Sequence, residues 1–125
     1  MVYTLLVKKS NISILNRIVR LLYDKKAVNI MAIDVSAVST LTDCFLIAEG
    51  NVERHVTALA HAVIDQESAL ENRPYAVEGL KVGEWVVIDF GELIIHLFHP
   101  DMREKYQFES IWRSGKIVDF EKGNA

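Results

Sequence analysis

Hydrophobic side chains recur along the chain with two periods, and the switches between them mark the elements. Leu15, Ile18, Val19 and Leu22 fall at i, i+3, i+4 and i+7, while Arg17, Arg20 and Asp24 occupy other positions. Residues 11–24 therefore predict an amphipathic helix, with Ser10 placed to cap it. From Ala27 to Val35 the pattern becomes a β-rich run that is apolar on both alternating faces, Val28, Ile30 and Ala32 against Met31, Ile33 and Val35. This predicts a strand covered on two sides, broken at its end by Asp34. A polar segment, Ser36 to Asp43, leads into a second buried strand from Cys44 to Ala48, which Gly50 and Asn51 end. Val56, Leu59, Ala60 and Val63 then resume helical spacing over residues 52–69. Asn51 is the candidate cap, and Glu53 sits in the first turn, where the helix dipole favours an anion.

Asn72 to Pro74 is the clearest break, followed by a short predicted strand at Tyr75 to Glu78 and a turn around Gly83. Trp85 to Phe90 and Leu93 to Phe98 are β-branched and aromatic runs separated only by Gly91-Glu92. A glycine at the first central position suits a type II′ or I′ hairpin turn. Pro100 opens a further helix, where its missing donor is harmless. Met102, Tyr106, Phe108, Ile111 and Trp112 extend that segment to Arg113 as one broken helix or two short ones. The fold class expected is α+β, a mixed sheet carrying an antiparallel hairpin and flanked by helices. Residues 1–10 read as an N-terminal extension, 11–120 as a single domain and 121–125 as a frayed tail.

Composition narrows the class. Of 125 residues half are hydrophobic and a quarter charged, enough for one core without disulfide or metal staples. Cys44 is the single cysteine, so no internal bridge can form and a reducing compartment is expected. No apolar run approaches the roughly 18 residues of a membrane span. The start, MVYTLLVKK, is too short for a signal core, and no Arg-rich, acid-poor leader is evident. A bacterial cytoplasmic protein without membrane contact is the expectation.

The net charge of −3 is unevenly distributed. Between Met1 and Lys26 six basic residues face only Asp24, which leaves +5 there and −8 in the remainder. Glu78, Glu84, Asp89 and Glu92 against Lys81 make the hairpin region acidic. Nucleic acid is a poor partner for such a surface. The N-terminal basic charges are sparse and lack interleaved aromatics, so they read as a solvated helix face, and little direct nucleic-acid contact is expected.

Catalytic chemistry is hard to place. His96 lies within the hairpin strand and His99 just past its end, three apart, so an extended strand would point them to opposite faces, while His55 and His61 are six apart on a helix; no metal site is expected. Cys44, within a buried strand, reads as a small hydrophobe. The element order is that of a nucleotidyltransferase core, whose chemistry needs a glycine-serine turn and paired carboxylates on metal ions. Here the turn holds Gly50-Asn51, Asp89 has Val87 two residues before it, and Asp34 is the one conceivable further ligand. The six glycines are isolated and no nucleophile elbow occurs, so no catalytic residue and no cofactor is assigned. A nucleotide-binding protein or enzyme retaining such a fold stays as the alternative, and a homo-oligomeric adaptor as a weaker one.

Three stretches together carry a more specific signal: DVSAVSTLTDCFLIAEG from Asp34 to Gly50, EGLKVGEWVVIDFGELIIHLFHPDMREKY from Glu78 to Tyr106, and the closing Glu109-x-x-Trp112. With Thr42-Asp43, Glu78-Gly79, Trp85, Asp89-x-Gly91, His96, Arg103, Tyr106 and Trp112 in order, the chain resembles the ribosomal silencing factor family, also called the Iojap family. The resemblance implies a nucleotidyltransferase-like fold without that activity. It further implies binding to the large ribosomal subunit through ribosomal protein L-fourteen, steric blocking of small-subunit joining, lowered translation when nutrients are scarce, and a homodimer off the ribosome. The chain departs from the family pattern at Cys44, typically tyrosine or phenylalanine, at Glu49, typically small, and at Lys105, typically aromatic.

A blocker needs a complementary surface and bulk, not a reactive group. Ribosomal proteins are generally basic, so the candidate partner-binding residues are Glu78, Trp85, Val87, Asp89 and Glu92, with charge speeding encounter and an aromatic anchor slowing release. Trp85 fits core and interface equally from sequence. Asp89 belongs to an interface if its face is solvated, and must be paired if buried. Arg103, Tyr106, Glu109 and Trp112 form either a secondary interface or a structural closure, with Arg103 paired to a carboxylate. His96 reads as a hydrogen-bonded structural histidine.

Overall fold

A computed structural model of the chain describes residues 9–37, 39–106 and 116–118. The elements run α1 (Lys9–Asp24), β1 (Val28–Asp34), β2 (Cys44–Glu49), α2 (Glu53–Ala69), β3 (Ala76–Glu78), β4 (Trp85–Asp89), β5 (Leu93–Phe98), α3 (Pro100–Tyr106) and β6 (Lys116–Val118). Among the described residues the strands form one sheet in the order β3-β4-β5-β2-β1-β6. The central pair β2 and β5 is parallel, and every other pairing is antiparallel. The expected α+β class with a mixed sheet and a hairpin is the observed one.

Register sorts side chains onto two faces, because hydrogen-bonded partners share a face and neighbours alternate. On the first face Ala32, Leu46, Val86, Ile88, Ile95 and Leu97 pack under Leu15, Ile18 and Leu22 of α1 and Val56, Leu59 and Val63 of α2. On the second face Ile33, Phe45, Ile47, Ile94 and Phe98 are buried, with Met102 of α3 packed against them. All six positions of β2 and all six of β5 are buried, the reason both read as mainly apolar runs, interrupted only by Glu49 at the end of β2 and His96 within β5. In β4, one strand from the edge, only Val86 and Ile88 are fully buried.

The α1–α2 contact is closed by a polar lock. The Glu67 side chain is buried within α2 and accepts from Arg17 Nε at 2.8 Å, Arg17 Nη2 at 2.6 Å and Asn72 Nδ2 at 2.8 Å. Burial opposes its ionisation, but hydrogen bonds from Arg17, Asn72 and Gln66, aided by the Arg17 charge, outweigh that and hold the carboxyl below its ordinary range. The Asn72 backbone N–H also donates to the Glu67 carbonyl, so one residue ties α1 to the end of α2.

Several local expectations need correction. Ser10 lies inside the first turn of α1, not before it, since no glycine or proline stops the helix there. Asn51 does not cap α2: the cap position is Val52, with no side-chain cap bond, and the Asn51 N–H donates to His55 Nδ1 at 2.9 Å. His55 reaches back from the third helical position and, through Nε2 near the Lys25 carbonyl at 2.8 Å, ties α2 to the turn after α1. β1 is not covered on both sides throughout. Its register shifts between Val28 and Met31, Asn29 adopts φ +52°, and Val28 and Asn29 are exposed; two-sided burial starts at Ala32. The β4–β5 turn is as expected, and because Gly91 (φ +89°) but not Glu92 has positive φ, it follows the type II′ pattern. β6 lies in a stretch where the sequence pattern predicted no strand.

Candidate functional site

The second sheet face carries most of the residues singled out from sequence. Trp85, Val87 and Asp89 project there from β4 beside Glu78 of β3, since Glu78 pairs with Val87, Val87 with His96, and Asp89 with Ile94. A groove of about 310 Å³ opens in this face. Phe45, Val87, Ile94 and His96 line it with Leu41 and Ala76, and the carboxylates of Glu78 and Asp89 border it. Leu41, 67% exposed, stands at the edge of this groove and extends its apolar surface to solvent.

At the other end of β4 the Trp85 Nε1–H donates to His96 Nδ1 at 3.0 Å. The indole lies 5.1 Å from the Phe98 ring, and His96 sits between Phe45 at 5.3 Å and Phe98 at 6.0 Å between centroids. Burial pushes the His96 imidazole down to about 4, so it is neutral at physiological pH. The structural reading of His96 holds. Trp85 combines both sequence alternatives, half-buried in the aromatic cluster and partly open to solvent.

Asp89 likewise has two roles. It is only partly buried, yet its Oδ1 accepts the Gly91 N–H at 2.7 Å and thereby shapes the hairpin turn. Glu92 stands apart from the groove, exposed at the hairpin tip, in a separate open cleft of about 570 Å³ with Asp43, Asn72 and Tyr75. Four of the five candidate docking residues thus share one face, and the fifth does not join them.

Arg103 is buried and pairs with Glu49 at 3.0 Å, as expected of a closing contact with a carboxylate; it also donates to the Asn29 carbonyl at 2.5 Å. The departure at Glu49 thereby acquires a role, because Asn29 Nδ2 donates to Glu49 Oε1 at 3.2 Å and the three residues bind α3 to the bulged start of β1. Tyr106 ends α3, and Glu109 and Trp112 lie outside the described residues.

The carboxylates considered for metal chemistry do not converge. Asp34 faces the helices, its Oδ1 bonded to the Ser36 N–H and hydroxyl at 2.9 and 2.7 Å, whereas Asp89 lies on the opposite face and three strands away. Among the described residues no group of three or more His, Cys, Asp or Glu is placed to hold a metal ion, and no helix is long and apolar enough to cross a membrane. Cys44 is buried; burial first, then the charges of Asp34 and Asp43, push its thiol up to about 12, leaving a protonated, unreactive group. Sequence reasoning missed Leu41, Phe45 and Ile94 as groove residues. The Gly91-Glu92 turn could have found Ile94, since it fixes the register Asp89↔Ile94, but nothing local marks Leu41 or the β2 pairing that brings in Phe45.

Residues 8–125 match the family model described as "Ribosomal silencing factor during starvation". The chain belongs to this family. It is 36% identical over 114 residues to the ribosomal silencing factor RsfS of Halalkalibacterium halodurans, covering 90% of this chain and 96% of that one. Similarity reaches the mouse mitochondrial assembly of ribosomal large subunit protein 1, 35% identical over 101 residues, 78% of this chain and 44% of that one. A crystal structure from Bacillus halodurans superposes with a TM-score of 0.78 at 33% identity, over 88% of this chain and all of that one. The two-faced sheet described above is therefore a fold that this chain shares with that solved structure.

Proposed function

We propose that this chain is a non-enzymatic silencing factor that docks its second sheet face on the large ribosomal subunit through ribosomal protein L-fourteen. Its bulk then excludes the small subunit and represses translation under nutrient limitation. The observation that carries the reading is the groove itself: an apolar floor of Phe45, Val87 and Ile94, bordered by Glu78 and Asp89, with Leu41 standing exposed beside it. An apolar centre with a charged rim is the anatomy of a protein interface, and the sign of that rim suits a basic ribosomal protein. The names of the relatives support the ribosomal target. Glu92 contributes charge at the hairpin tip, outside the direct contact.

Association needs no titrating or nucleophilic group. Rim carboxylates raise the encounter rate, and burial of Trp85, Val87 and Leu41 sets the dissociation rate. In the cytoplasm the free factor is a homodimer in this reading, which sedimentation equilibrium checks. Docking is tested with isolated L-fourteen in a titration followed by surface plasmon resonance. Saturable binding that Leu41→Asp and Val87→Asp abolish, both variants keeping their circular dichroism, is expected; binding indifferent to both changes would move the interface elsewhere.

A further inference from the structure

We infer that His96 is a positioning residue: its hydrogen bond fixes the Trp85 indole so that the open part of that ring completes the docking face beside the groove. The inference rests on the docking reading above and adds to it a residue that need not touch the partner. Tryptophan has one polar atom, a donor, and when the ring is half buried that donor selects the orientation in which it finds an acceptor. His96 Nδ1 supplies one at 3.0 Å.

The acceptor is itself held in place. Phe98 stacks on the imidazole with the ring planes 13° apart, and Phe45 packs at 5.3 Å. Because Nδ1 accepts, the neutral ring carries its proton on Nε2, so the bond also selects the tautomer. Every other residue of β5 is apolar, and a leucine at position 96 would fill the strand without the cost of burying an imidazole. What leucine cannot do is orient an indole. His96 also lines the groove, so it connects Trp85 to the surface where Leu41 and Val87 lie.

The test is a double-mutant cycle on binding to purified large ribosomal subunits in the natural sequence, with emission read separately in a Trp112→Phe background that leaves Trp85 as the one tryptophan. His96→Leu removes the acceptor, whereas His96→Asn keeps an oxygen at the δ position. Binding about tenfold weaker is expected for His96→Leu, with a shifted Trp85 emission maximum, and His96→Asn should stay within about threefold of the parent. In a Trp85→Phe background His96→Leu should then have no further effect. Equal losses from Leu and Asn, losses that add in the Trp85→Phe background, or unchanged binding by His96→Leu would each overturn the inference. If the parent protein itself fails to bind large subunits, the docking reading falls. In that case an unshifted emission spectrum of free His96→Leu would separately show that His96 does not orient the indole.

Discussion

The Arg17–Glu67 lock makes an asymmetric prediction, because only one partner is fully buried. The Glu67 side chain has no solvent exposure, whereas that of Arg17 keeps 33%. Arg17→Met therefore leaves a carboxylate in the protein interior with two of its four hydrogen bonds, from Asn72 and Gln66. Breaking a buried pair in this way costs about 3 kcal/mol, the low end of the usual range because those two bonds remain. Glu67→Gln keeps a carbonyl oxygen for Asn72 and frees an arginine that already reaches water, so about 1 kcal/mol is expected. With a urea slope of about 2 kcal/mol per molar, the midpoint should fall by about 1.5 M for Arg17→Met and about 0.5 M for Glu67→Gln. The Glu67 carboxyl is held below its ordinary value in the fold, so its contribution is present above that value and is lost as pH falls through the folded one. Arg17→Met should remove this acid-side loss. Urea unfolding followed by circular dichroism at pH 7 checks the order. Equal costs for the two variants, or a larger one for Glu67→Gln, would refute the argument that the buried carboxylate sets the energetics.

Three further outcomes follow from individual contacts. His96 titrates at about 4 in the fold against an ordinary 6.5, so the unfolded chain takes up a proton that the folded one refuses. Stability is then full above about pH 6.5 and declines by about 3 kcal/mol towards pH 4, and urea midpoints of His96→Leu should lack that decline. Gly79 sits at φ +87°, and a Cβ there would lie 2.0 Å from the Trp85 carbonyl oxygen, so Gly79→Ala should lower stability by at least about 2 kcal/mol in thermal unfolding. Glu78→Gln with Asp89→Asn keeps the Asp89 turn bond to Gly91 while removing both rim charges. Association with large subunits should slow and lose salt dependence, with melting nearly unchanged, whereas Asp89→Lys should also lose about 1 kcal/mol of turn stability.

How far the sequence reaches can be seen element by element. Where burial is one-sided and periodic, as in α1 and α2, or continuous, as in β2 and β5, side-chain pattern alone places the element to within a residue or two. Gly91-Glu92 sets the hairpin register, and with it the shared face of Trp85, Val87 and Asp89. Errors arise where a long-range contact decides the local structure. Asn51 is no cap because His55 takes its N–H, and the start of β1 is exposed because Asn29 turns away to meet Glu49 and Arg103, 20 and 74 residues distant. Pairing of β2 with β5 across α2 brings Phe45 to the groove, a juxtaposition that no periodicity encodes.

Subunit joining is the decisive assay for docking on the large subunit. Purified small and large subunits are mixed at a magnesium concentration that favours joined ribosomes, with and without the protein, and resolved on a sucrose gradient. The protein should migrate with the large subunit, joined ribosomes should decrease in proportion to its occupancy, and Val87→Asp should abolish both effects. A joined-ribosome peak unchanged at saturating protein, or protein migrating with the small subunit, would contradict large-subunit docking.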